Sequence, residues 1–234
     1  MSLPGWSLVP VLGVDMSPLH ATGVVGQKLL FVYTFMFWTS VVVAAGVAGT
    51  ILFAAIRFRA RGDKAEPRQV VGNARLELAW TLLPFLIVAS LFALTAVNMP
   101  SVVNPPPHSM QISVRGIQYV WDFSYPGYTN RSGQTIHTAE ELVLPANTPV
   151  ELNVTSGDVD HSFYVPTLGG QINAIPGQMN HMWVEAKPGT YYGQCTELCG
   201  IGHAFMVIQV DMLAPAQWQA WLAKEQSATS TTAG

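Results

Sequence analysis

The chain has 234 residues, of which 50% are hydrophobic and only 11% charged, with a formal net charge of −3. Charged residues make up about a quarter of an ordinary soluble domain, so a purely soluble protein is excluded and a membrane protein is expected.

Residues 1–28 do not read as a signal peptide, because they lack a basic start and are broken by Pro4, Pro10, Asp15 and Pro18. They are expected to form an external N-terminal arm. Leu29 to Ile56 contains no charged residue and exceeds the ~20 residues needed to cross a bilayer. A second uncharged stretch, Leu78 to Val97, carries Pro84, which a membrane helix accommodates. A two-helix transmembrane hairpin over 29–98 follows. The connecting loop, 57–75, holds Arg57, Arg59, Arg61, Lys64, Arg68 and Arg75, six of the eleven basic residues, and is therefore assigned to the cytoplasmic side. The N-terminus and everything after the second span then lie on the outer, periplasmic or equivalent, face. Glu77 stands at the start of the second span, where the helix dipole favours a carboxylate.

Met99 to Pro107, with Pro100, Pro105, Pro106 and Pro107, reads as an extended linker that cannot continue a helix. Short alternating runs follow at Gln111–Val114, Tyr119–Phe123, Val150–Val154, His181–Glu185 and Met206–Val210, separated by Pro, Gly and Asn turns. They predict an all-β sandwich or barrel over 108–213. Tyr119, Trp121, Phe123 and Tyr125 alternate and so belong to one strand face, with core packing the plain reading. The domain counts nine acidic residues against three basic, a balance of −6, which would steer a cationic partner at low salt. Asp158 and Asp160 are the candidate docking rim, and nucleic acid is not among the expected partners. Residues 214–226, with Trp218 and Trp221, predict a short C-terminal helix, and 227–234 a disordered tail.

The chemistry concentrates in Cys195-Thr-Glu-Leu-Cys199-Gly-Ile-Gly-His203-Ala-Phe-Met206, which contains both cysteines of the chain. Two thiolates, an imidazole and a thioether form a soft ligand set that suits copper. A further nitrogen ligand is expected from His161, at the end of an alternating segment. A mononuclear blue-copper site needs two His and only one Cys, so one thiolate is in excess. Two thiolates can instead bridge two ions. Three alternatives stay open on the residues alone: a Cys2His2 zinc site, a short disulfide loop, and a copper carrier or thiol oxidoreductase with a Cys-x-x-x-Cys. His20, His108, His137 and His181 match no ligand spacing.

The run from His161 to Met206, with Ala174-Ile175-Pro176-Gly177 and Tyr191-Tyr192-Gly193-Gln194-Cys195, resembles subunit II of the haem-copper cytochrome c oxidases over roughly residues 25 to 215. The resemblance implies a cupredoxin-like fold and a dinuclear CuA centre of two copper ions. Its ligands would be His161, Cys195, Cys199, His203, Met206 and the backbone carbonyl of Glu197. It also implies a magnesium or manganese site at the Glu197 side chain shared with subunit I. It further implies proton uptake at Glu77, electron uptake from cytochrome c, and assembly with a haem-bearing subunit I and with subunit III. Tyr119 stands where the family carries the tryptophan associated with electron uptake, so Tyr119 or the retained Trp121 would take that role. A quinol oxidase subunit, a relative lacking the copper, is disfavoured by retention of all five side-chain ligands.

Overall fold

The computed structural model describes residues 16–59 and 72–229, in two compact units: residues 31–99, and residues up to 30 together with 100 onward. Arg61, Lys64 and Arg68 of the basic loop, most of the N-terminal arm and the last five residues lie outside the described residues.

The first unit holds all of α1 (Val24–Arg57) beyond Leu30 and all of α2 (Ala74–Val103) up to Met99. At ~1.5 Å per residue their 34 and 30 residues span ~51 and ~45 Å, more than the ~30 Å hydrocarbon core of a bilayer. Their apolar side chains point outward, Val97 being 79% and Phe92 74% exposed, which only a lipid surround makes favourable. The hydroxyls of Thr39, Ser40, Thr50 and Thr81 each donate to the carbonyl four residues earlier, which pairs these four polar groups towards lipid. Asn73 caps α2 through its side-chain oxygen, which accepts from the Arg75 and Leu76 amides.

Two sequence expectations change here. α2 runs through Pro100 to Val103, so the proposed linker begins as helix; a proline forfeits one N–H bond but the turn closes with Asn104 N–H donating to the Pro100 carbonyl. α1 begins at Val24, inside the expected arm. Its first turn has no side-chain cap; the Val24 and Gly26 amides donate to the carbonyls of Glu185 and Leu168, and the Thr22 and Gly23 amides to that of Thr167. These partners lie some 140 residues away in sequence and leave no local signal. Gly169, at φ +93°, is required there by a close approach, since a Cβ on it would lie 2.3 Å from the Gly26 backbone.

The globular unit contains ten strands in two five-stranded sheets. One has the order β3 (Thr135–Ala139), β2 (Val120–Thr129), β1 (Met110–Ile117), β5 (Val150–Ser156), β8 (Asn180–Val184). The other runs β4 (Glu141–Pro145), β10 (Val207–Leu213), β9 (Gly189–Cys195), β6 (His161–Tyr164), β7 (Gln171–Ala174). Ile112 and Val114, Trp121 and Phe123, Leu152 and Val154 from the first sheet meet Leu142, Phe163, Ile208 and Val210 from the second in one buried core. This is the sandwich that the period-two patterns predict. β1·β5 and β4·β10 pair in parallel, the other neighbours antiparallel.

A C-terminal helix, α3 (Pro215–Ser227), buries Trp218 and Leu222 and stacks Trp218 on Trp221 at 5.0 Å. The expected disordered tail is corrected at its start: Ser227 ends the helix, and the Ala228 and Thr229 carbonyls accept from the Arg131 amide and the Ser132 hydroxyl.

Candidate metal centre

Two segments build the site. β6 opens on His161, which is fully buried; β9 ends on Cys195, and a loop carries Cys199 to a 3-10 turn at His203–Phe205 and then to Met206. The loop is closed at its base by the Cys195 amide donating to the Met206 carbonyl at 2.9 Å, and is tied to β6 by the Thr196 amide donating to the Ser162 carbonyl.

The donor atoms converge. Cys195 Sγ lies 3.9 Å from His161 Nδ1, 4.0 Å from Cys199 Sγ and 3.3 Å from the Glu197 carbonyl oxygen. Cys199 Sγ lies 3.6 Å from His203 Nδ1 and 3.9 Å from Met206 Sδ. Atoms that each sit ~2.0–2.3 Å from a shared metal are separated by such distances. His161, Cys195 and Cys199 offer ligand atoms within 4.8 Å of one another, a metal-competent cluster. Both cysteines are free thiols, and 4.0 Å is about twice a disulfide bond length, so the disulfide alternative is absent.

Electrostatics prepare the ligands. Asp158 Oδ1 lies 2.8 Å from His161 Nε2. A carboxylate only accepts, so Nε2 carries the ring proton and Nδ1 turns its lone pair to the sulfurs. Burial alone would raise the Asp158 carboxyl, but the Gln118 amide, His161 and the Val159 amide together pull it down to about 2. Burial, with the Cys195 thiol beside it, pushes Cys199 up to about 11. A metal ion would displace these thiol protons on binding.

The remaining sequence candidates fall as follows. Trp121 is fully buried, its ring edge-on to His161 at 6.0 Å and to Phe163 at 5.3 Å. Phe123 and Tyr125 share its face, as the alternation predicts. Tyr119 does not. It precedes β2 in the turn, half-buried, its ring against Gly200 and Gly202 of the cysteine loop. Asp158, expected on a docking rim, has its carboxylate turned inward to His161; Asp160 is exposed. The Glu197 side chain is exposed while its carbonyl faces Cys195. Glu77 belongs to the other unit, where its carboxylate accepts from the Asn73 amide at 3.2 Å. Sequence reasoning missed Gly116, on which a Cβ would lie 2.8 Å from His161 Cδ2, and Gln118, whose side chain donates to the Cys199 carbonyl. Neither stands at a ligand spacing, and the only local signal is their place beside the aromatic run.

Comparison with known proteins matches two family models: the cytochrome c oxidase subunit II transmembrane domain over residues 16–99 and the periplasmic domain over residues 130–213. A probable cytochrome c oxidase subunit 2 of Rickettsia felis is 32% identical over 215 residues, covering 85% of this chain and 68% of the relative. A cytochrome c oxidase subunit 2 of Alkalihalophilus pseudofirmus is 36% identical over 171 residues, covering 70% and 48%. The solved periplasmic domain of subunit II of cytochrome oxidase from Bradyrhizobium japonicum is 31% identical, covers 52% of this chain and 96% of its own, and superposes with a TM-score of 0.47. Two apolar membrane spans, a β-sandwich and a sulfur-rich group of candidate metal ligands thus coincide with two family models and a relative similar along most of its length, and the chain belongs to the cytochrome c oxidase subunit II family.

Proposed function

We propose that this chain is the electron-accepting subunit of a respiratory terminal oxidase, taking electrons from a c-type cytochrome at a dinuclear copper centre and passing them to subunit I, where oxygen is reduced to water with proton translocation. The chain is an integral membrane component of an oxidoreductase complex, with two spans and a globular domain on the outer face. The observation that carries the finer reading is the donor set: Met206 Sδ and the Glu197 carbonyl stand 3.9 and 3.3 Å from the cysteine sulfurs, beyond what a four-ligand zinc site uses.

In this reading Cys195, Cys199, His161, His203, Met206 and the Glu197 carbonyl would together hold two copper ions. Copper held so would supply a centre that takes up and releases one electron with little movement of its ligands. The protein's part is to hold that geometry. Asp158 fixes the His161 tautomer, the buried sandwich end excludes water, and the loop is pinned at both ends. Burial of His161, both cysteines and Met206 argues against an exchangeable copper carrier, whose ligands must be reachable.

Tyr119, half-exposed against the cysteine loop, is the better candidate for contact with the donor, and buried Trp121 for an inner position beside His161. The exposed Glu197 carboxylate is free to hold magnesium or manganese with subunit I, and Asp160 remains a docking candidate. Glu77 is the candidate for proton uptake, in addition to its helix-capping role; subunit III is the further expected neighbour. The test is stopped-flow mixing of the copper-loaded full chain with a reduced, basic c-type cytochrome. Rapid oxidation of the cytochrome that slows as salt is raised is expected for a domain of charge −6; no electron transfer at any ionic strength overturns the reading.

A further inference from the structure

Two segments supply every donor atom of the centre, and a third that supplies none touches both. It is the turn joining β1 to β2. The Gln118 amide donates to Asp158 Oδ2 at 2.7 Å, and the other oxygen of that carboxylate holds His161 Nε2 at 2.8 Å. The Gln118 side chain reaches the opposite way: its Nε2 donates to the Cys199 carbonyl at 2.5 Å. Tyr119 extends the same contact, since a Cβ on Gly202 would stand 2.5 Å from Tyr119 Cδ2 and one on Gly200 2.7 Å from its hydroxyl oxygen. The two segments also meet at the strand base, where Thr196 meets Ser162 and Phe163 pairs with Cys195, and through the donor atoms themselves, so this turn adds a tie on the far side of the site.

We infer that Gln118 is a positioning residue for the metal centre: its main chain orients His161 through Asp158, and its side chain fixes the cysteine loop at Cys199. The inference rests on the copper reading of the site. A side-chain amide is suited to the task because it is a neutral donor whose reach spans the turn and the loop, and the Cys199 carbonyl it satisfies belongs to a residue only 4% exposed, where an unmet acceptor is costly. Its N–H also sets a positive dipole end against the main-chain carbonyl of Cys199, which stabilises the more electron-rich, reduced form. Removing the donor therefore lowers the reduction potential and loosens the Cys199 half relative to the His161 half. The backbone bond to Asp158 survives side-chain substitution, so the two roles of the residue separate experimentally.

The experiment uses the full chain in detergent, loaded with copper, as the parent and as Gln118→Met, which keeps the length of the side chain and removes the donor. Gln118→Ala is the second variant, and folds because the residue is exposed at a turn. Electron paramagnetic resonance and the reduction potential are read on each. Both variants are expected to bind two coppers with an altered hyperfine splitting, and to shift the reduction equilibrium about tenfold towards the oxidised form, about 59 mV for a one-electron couple. Hyperfine splitting and potential equal to the parent's in both variants overturn the inference. A parent chain without a dinuclear copper spectrum overturns the copper reading itself, which keeps the two failures distinct.

Discussion

Gly116→Ala perturbs the centre through a single contact. Gly116 lies on β1 with no positive φ, so alanine costs nothing in backbone conformation. Its new Cβ would stand 2.8 Å from His161 Cδ2, 3.0 Å from Cγ and 3.2 Å from Cβ, whereas ordinary contact begins at 3.4 Å, so the ring must retreat by about 0.6 Å. The ring has little room for it. His161 is fully buried, flanked by Trp121 and held at 2.8 Å by Asp158. A shift of that size stretches a charge-assisted bond worth ~1.5–3 kcal/mol and moves Nδ1 relative to the sulfurs. Disturbing what orients a ligand typically weakens metal affinity about 10- to 100-fold, or ~1.4–2.8 kcal/mol. The assay is competition for copper between the full chain in detergent and a chelator of known affinity, with circular dichroism to confirm the fold. Parent-like copper affinity in Gly116→Ala would refute the claim that His161 is seated against this glycine.

Trp121→Ala removes a fully buried ring from the core and should cost ~3–5 kcal/mol of domain stability, read from denaturant midpoints; a loss under ~1 kcal/mol contradicts its placement. Gly169→Ala places a Cβ 2.3 Å from the Gly26 backbone at φ +93°, so hydrogen exchange at the Val24 and Gly26 amides should accelerate, while unchanged protection would contradict the bonding of residues 22–26 to the Thr167–Leu168 segment and Glu185 within the globular unit. The Asp158 carboxyl is held at about 2, below its ordinary 3.8. A depressed folded value stabilises above the unfolded one and is lost as pH falls through the folded one, so the copper-free chain should lose stability between about pH 4 and 2 more steeply than Asp158→Asn. Superimposable melting profiles for the two would remove the His161–Asp158 bond from the account.

What was legible in the sequence was whatever has a period or a composition. Val150 to Ser156 alternates buried and half-buried along its length, and the long apolar runs announce the spans. Among the strands that escaped, β6 and β7 have patterns that are short or continuous, whereas β9 has seven residues but opens on two exposed ones. β6 has four residues, three of them buried in succession because both faces are covered, and β7 has four with only Ala174 buried. Pro100 read as a stop, yet the helix passes it, because one missing N–H bond does not outweigh a turn closed on either side. The candidate donor cluster was legible because soft metal chemistry demands rare residues, and both cysteines stand four positions apart. Their supports were not: Gln118 is an ordinary polar residue in a turn, 81 positions from Cys199, and only the fold brings the two together.

The central claim is that Cys195 and Cys199 bridge two coppers. It is tested most directly by electron paramagnetic resonance and metal analysis of the copper-loaded full chain: two coppers per chain with a seven-line hyperfine pattern are expected, and one copper with four lines, or tight binding of zinc alone, would contradict it.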